Sequence, residues 1–109
     1  MLKKLYIYTL KGCEVCENLK SKLNSMNIIY TELCCFDFGK KCDDIENQTG
    51  IDYYPIVNIE TINNNNTVLC LASTHEEIEK TKQINPSTKL IYKHSINGLV
   101  DYIKIYYND

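Results

Sequence analysis

The spacing of hydrophobic and polar residues changes several times along the chain, and each change marks an element. Residues 3–9, KKLYIYT, alternate β-forming side chains and predict a strand. From 13 to 26 the period lengthens. Cys16, Leu19, Leu23 and Met26 then fall on one helical stripe. Glu14 and Glu17 stand in the first turn and Lys20 and Lys22 further along, the order a helix dipole favours. Residues 28–34 return to a strand pattern. Strand, helix and strand within about thirty residues form a βαβ unit, whose two strands run parallel.

A loop, FDFG, leads to a second helix over 40–49, which Gly50 is placed to close as a left-handed cap. YYPIVNIE and TVLCLAS, separated by an asparagine turn at 63–66, predict a β-hairpin. Thr74 and Glu77 make a capping-box pattern that opens a third helix, running to about Ile84. NPST is a turn and KLIYKH another short strand. A final helix over 96–106 carries Leu99, Val100, Ile103 and Tyr106 on one face. The predicted order is β-α-β-α-β-β-α-β-α, an α/β fold with a central mixed sheet flanked by helices. Nothing reads as a linker or repeat, so residues 1–109 form a single domain.

Composition narrows the functional classes. A chain of 109 residues buries a core without staples, and 44% hydrophobic with 24% charged residues is ordinary for a globular domain. Net charge is -2, and the basic residues are all lysines scattered along the chain. No basic stripe tracks a phosphate backbone, which argues against nucleic acid as a partner. No apolar run reaches the roughly 20 residues that span a bilayer, so no membrane partner is expected. The start, MLKKLYIYTL, has an apolar stretch too short for a signal peptide and no small-residue cleavage site. A cytoplasmic location is the expectation. There, six cysteines do not suggest a permanent disulfide framework.

The chemistry concentrates in GCEVC, residues 12–16. Cys13 falls at a helix N-terminus, where unpaired N–H groups and the dipole stabilise a thiolate. Cys16 lies one turn on, in the apolar stripe, and is expected to be sheltered. An exposed, activated thiol beside a sheltered one suits dithiol exchange: Cys13 attacks a partner's disulfide and Cys16 resolves the mixed disulfide. Zinc is the competing use of such a spacing. A closed zinc site needs four ligands, and Cys34, Cys35, Cys42 and Cys70 offer no second pair of the right spacing. No metal is expected.

Strand, C-x-x-C, helix, strand, helix and then a proline opening a hairpin resembles the thioredoxin-fold superfamily, closest to its glutaredoxin-like branch. YTLKGCEVC is similar to the glutaredoxin segment in which Tyr-Thr-Lys precedes Cys-Pro-Tyr-Cys, and YYPIV lies where that family has Thr-Val-Pro-x-Val. CEVCENL also resembles poxvirus glutaredoxin-like proteins. The likeness covers roughly residues 1–72, and LIYKHSINGLVDYI is similar in style to thioredoxin and disulfide-isomerase C-termini. It implies a thioredoxin-like fold with an additional C-terminal strand and helix. It also implies a redox-active disulfide between Cys13 and Cys16 and a cis Tyr54–Pro55 bond facing the cysteines. The backbone of Tyr54 would then pair with an extended substrate segment.

The departures from that pattern bear on substrate. Tyr53-Tyr54 and Ser73-Thr74 replace the Thr-Val and Gly-Gly that hold glutathione in the family. Leu10 stands where an activating lysine is common, with Lys11 one position along as its replacement. These changes argue against glutathione and for protein thiols and disulfides as partners, with no cofactor. Glu14 adds negative charge beside Cys13 and opposes the dipole there. The expected function is a thiol–disulfide oxidoreductase, monomeric or homodimeric, with Cys13 and Cys16 catalytic and Lys11, Tyr54 and Pro55 contacting substrate. The alternative is a non-catalytic interaction module of the same fold.

The other cysteines read as packing, with a second redox centre formed by Cys34-Cys35 and Cys42 as the alternative. Cys34 and Cys35 alternate faces at a strand end, Cys42 lies in the following helix, and free cysteine commonly behaves as a small buried hydrophobe. Cys70, between Leu69 and Leu71, is expected in the core. His75 and His94 lack a carboxylate or cysteine at catalytic spacing, and Tyr102, Tyr106 and Tyr107 are read as packing on the last helix.

Overall fold

The computed structural model describes residues 2–51, 53–61, 66–71 and 89–107. Five strands and three helices occur among them: β1 (Leu2–Thr9), α1 (Glu14–Ser25), β2 (Thr31–Cys34), α2 (Gly39–Thr49), β3 (Ile56–Thr61), β4 (Asn66–Leu71), β5 (Lys89–Lys93) and α3 (Ile96–Tyr107). The expected helix from Thr74 to Ile84, the turn at 85–88, and most of the asparagine turn lie outside the described residues. So does His75.

The strands form one mixed sheet in the order β2-β1-β3-β4-β5. β1 and β2 pair in parallel, as a βαβ unit requires, with Thr9 opposite Cys34. β3 pairs antiparallel with both β1 and β4, and β5 returns parallel to β4.

Strand alternation divides the core between the two faces. Leu5 and Ile7 of β1, Val57 and Ile59 of β3, and Leu69 of β4 join Leu19 and Leu23 of α1 and Leu99, Val100 and Ile103 of α3. The intervening residues, Tyr8, Ile56, Val68 and Cys70, join Cys42 and Ile45 of α2 on the opposite face. Two helices therefore cover one face and α2 lies on the other. Tyr102 and Tyr107 pack against the first core. The side chain of Tyr106 is outside the described set.

Local chemistry sets the element ends, and in two places shifts them from expectation. Helix α1 ends in a Schellman arrangement. The N–H of Asn27 donates to the Asn24 carbonyl (3.1 Å) and that of Ile28 to Leu23 (3.0 Å), with Asn27 left-handed at φ 59°. Residues 26–28 are thus used to close the helix. Met26 leaves the buried stripe to become an exposed C-cap, and β2 begins at Thr31 instead of 28. Likewise β3 starts only after Pro55, which has no N–H to give a sheet. Gly50 caps α2 in the left-handed region at φ 75°, as expected. No helix of the described residues is long and apolar enough to cross a membrane.

Candidate functional site

Strand β1 ends at Thr9, and the chain turns sharply before α1. The N–H of Cys13 donates to the Leu10 carbonyl at 3.2 Å, and Gly12, third in this turn, adopts φ +81°. That conformation strains any residue with a Cβ, so glycine is what lets the turn deliver Cys13 to the helix start. Cys13 is the N-cap of α1. Its sulfur accepts the N–H of Cys16 at 3.1 Å, and its carbonyl accepts that of Glu17.

Cys13 and Cys16 stand at disulfide distance, their Cα atoms 5.2 Å apart. Cys13 is half-buried, whereas Cys16 is 0% exposed. The asymmetry follows from the helix. Cys16 shares the stripe of Leu19 and Leu23, which faces the sheet, and Cys13 stands before its first turn.

The loop before β3 completes the site. The carbonyl oxygen of Tyr54 lies 4.0 Å from Cys13 Sγ, and the Tyr54–Pro55 bond is cis, the expected isomer. Pro55 is buried. The Tyr54 hydroxyl donates to Glu46 Oε2 at 2.6 Å, tying this loop to α2. Tyr53 approaches Cys70 Sγ at 3.9 Å. Of the residues expected to act together, Cys13, Cys16 and Tyr54 converge. Lys11 is exposed, and its ammonium sits 4.7 Å above the centre of the Phe36 ring, a cation–π contact.

An ion-pair cluster braces the helix behind the pair. Lys20 Nζ is 2.9 Å from both Glu17 and Glu32, and the buried Thr9 hydroxyl donates to Glu32 at 2.7 Å. The bond from Lys20 holds the Glu32 carboxyl below its ordinary range, and Lys20 is pushed upward by the same contact. α1 is thereby linked to both β1 and β2.

Two of the remaining cysteines depart from expectation. Cys70 is fully buried in the core, as anticipated. Cys35 and Cys42, however, do not pack as separate hydrophobes. They form a second pair at disulfide distance, with Cα atoms 5.7 Å apart, and Cys34 is free. The reason lies in the turn after β2. The N–H groups of Asp37 and Phe38 both donate to the Cys34 carbonyl, folding the chain back so that α2 starts beside Cys35. The i,i+7 spacing is the one sequence signal that could have suggested it. No group of three or more potential metal ligands occurs among the described residues.

Comparison with protein-family models, with curated proteins and with solved structures gave no match. The geometry of the site itself carries the functional reading.

Proposed function

We propose that the chain is a thiol–disulfide oxidoreductase of thioredoxin-like, glutaredoxin-like fold, exchanging disulfides with protein substrates through Cys13 and Cys16. One observation carries the reading: Cys13 caps α1 with its sulfur on a backbone N–H, while its partner Cys16 is wholly sheltered. When the pair is reduced, that N–H and the helix terminus favour a thiolate on Cys13.

The Cys13 thiolate attacks one sulfur of a substrate disulfide, and the other leaves as a thiolate that takes up a proton. Cys16 then loses its proton and attacks Cys13 Sγ. The mixed disulfide breaks, the substrate's second thiol departs, and the 13–16 bond closes. Two electrons have passed to the substrate. The reverse sequence oxidises a substrate dithiol.

Protein is the favoured substrate for a physical reason. Leu10, Val15 and Phe36, all exposed and apolar, lie beside the pair in sequence or through the Lys11–Phe36 contact. A peptide segment can cover such side chains, and a small hydrophilic thiol cannot. Lys11 and the Tyr54–Pro55 loop would hold that segment, with the Tyr54 carbonyl near the reacting sulfur. A reducing compartment such as the cytoplasm suits a pair that cycles instead of remaining closed.

The test is reduction of a protein disulfide such as insulin's. Cys13→Ser is expected to lose turnover, and Cys16→Ser to accumulate mixed disulfides with partners in cells. Turnover that survives Cys13→Ser would remove the catalytic reading. A wild-type protein inactive in both directions would leave the interaction module. Efficient glutathione-coupled turnover would overturn the substrate class.

A further inference from the structure

Cys35 and Cys42 take no part in the exchange proposed for Cys13 and Cys16, yet their surroundings are those of a working thiol pair. Cys35 is partly exposed in the turn after β2, and Cys42 is 2% exposed within α2. One sulfur is therefore within reach of an outside thiolate and the other is sheltered. Redox-sensing cysteines share this arrangement of an accessible sulfur beside a resolving one.

Backbone hydrogen bonds hold both residues without help from the sulfur–sulfur bond. The N–H of Cys35 donates to the Thr9 carbonyl at 2.8 Å, and that of Cys42 to Phe38 at 3.1 Å. Between them, the N–H groups of Asp37 and Phe38 fix the turn on the Cys34 carbonyl at 3.0 and 2.8 Å. Opening the bond leaves all four in place. The two thiols then stay near each other, and closure needs little reordering of the chain.

We infer that Cys35 and Cys42 are a second thiol–disulfide couple, which an external dithiol opens at Cys35 and which an external disulfide, itself reduced to two thiols, closes again through Cys42. A thiolate of that dithiol attacks Cys35 Sγ, and Cys42 leaves as a thiolate and takes up a proton. The second thiol of the reductant loses its proton and attacks its partner sulfur in the mixed disulfide, releasing Cys35 as a thiol. The pair gains two electrons and two protons, and the reductant departs as a disulfide. The couple is independent of the role proposed for Cys13 and Cys16. It adjoins them all the same, because Phe36, next to Cys35, lies under the Lys11 ammonium.

The test uses the full chain carrying Cys13→Ser and Cys16→Ser, equilibrated in mixtures of reduced and oxidised dithiothreitol. After an acid quench, alkylation and peptide mapping count the thiols. Residues 35 and 42 are expected to exchange together in one two-electron transition, with the circular dichroism spectrum unchanged across it. Treated with oxidised glutathione in place of dithiothreitol, a Cys42→Ser version is expected to carry a glutathione mixed disulfide on Cys35, and a Cys35→Ser version none on Cys42. Thiols that stay free in fully oxidised dithiothreitol, a bond that opens only in denaturant, or bridging through Cys34 would each overturn the inference. Should the doubly substituted chain fail to fold, the same mapping on the wild-type protein must recover 13–16 and 35–42 bridges as separate transitions, or the inference fails.

Discussion

Cys13 and Cys16 are joined across one turn of α1, whereas Cys35 and Cys42 are joined across a tight turn and the start of α2. Both pairs stand at the same edge of the sheet, where Thr9 and Cys34 end adjacent parallel strands. Their helices lie on opposite faces, α1 over the core of Leu19 and Leu23 and α2 over that of Ile45. The difference that matters is the use of a helix terminus. Cys13 is the cap of α1, and its sulfur takes a backbone N–H that the helix leaves spare. Cys42 lies past the first turn of α2, and its N–H is already spent on Phe38. A helix terminus that favours a thiolate stands at Cys13, and none stands at Cys42.

The comparison can be broken most forcefully through the helices beneath the pairs. Leu23→Ala and Ile45→Ala each remove a buried side chain and are expected to cost about 2–5 kcal/mol in urea unfolding. If each pair depends on its own helix, Leu23→Ala changes alkylation rates at Cys13 alone and Ile45→Ala at Cys35 alone. Equal effects at both pairs would mean the two faces do not act separately.

Next in size is Cys35→Ser. The 35–42 bond closes a loop of sequence separation 7, for which the chain-entropy rule gives about 2.5 kcal/mol. That stabilisation is expected in oxidising buffer and should vanish on adding reductant. The shorter loop closed by Cys13 and Cys16 is about half as long, so removing that bond should cost about 0.6 kcal/mol less.

A smaller effect belongs to the α2 face at high pH. Burial pushes Tyr92 up from 10.0 to about 12, with Cys70 adding to the shift. The folded protein keeps this proton in a window where the unfolded chain has lost it, so stability falls as pH rises from 10.0 to about 12. Tyr92→Phe should flatten that alkaline limb, as followed by thermal melts. An unchanged slope would move the cause elsewhere.

The smallest effect is on the α1 side. The Glu32 carboxyl is held low by Lys20, so its contribution is present above the unfolded pKa and disappears as pH falls through the lowered one. Glu32 is exposed and Lys20 only partly covered, so Lys20→Met should cost no more than about 1 kcal/mol at neutral pH. The loss should shrink in acid. A loss that does not shrink as the pH falls would point to packing of the lysine stem.

The sequence made some of this plain and hid the rest for identifiable reasons. Elements whose burial repeats strictly were legible: the Leu19–Leu23 stripe, the Leu99–Ile103 face, the parallel first two strands and the hairpin of β3 and β4. The N-cap position of Cys13 was also legible, because a strand end, a glycine and a helical stripe bracket it. Met26 was misplaced because periodicity does not register where a Schellman closure begins. The spacing of Cys35 and Cys42 hinted at a pair but did not establish it, for a geometric reason. An extended path over seven residues spans roughly 23–25 Å. Only the turn on the Cys34 carbonyl brings the two Cα atoms to 5.7 Å.

The hydroxyl of Tyr107 accepts the N–H of Ile29, 78 positions earlier, and donates to the Asn27 carbonyl. With Leu99, Val100 and Ile103, this late segment closes the core that Leu5 and Ile7 begin. Ribosomes extend a chain at roughly 5–20 residues per second, so α3 follows β1 by something on the order of ten seconds. Until it arrives, the core that Leu19 and Leu23 of α1 enter lacks Leu99, Val100 and Ile103. Contacts of such long sequence separation also form slowly, since the intervening chain must lose its freedom first. The thiols of Cys13 and Cys16 thus meet the surrounding redox buffer during synthesis, before the helix that carries them is seated.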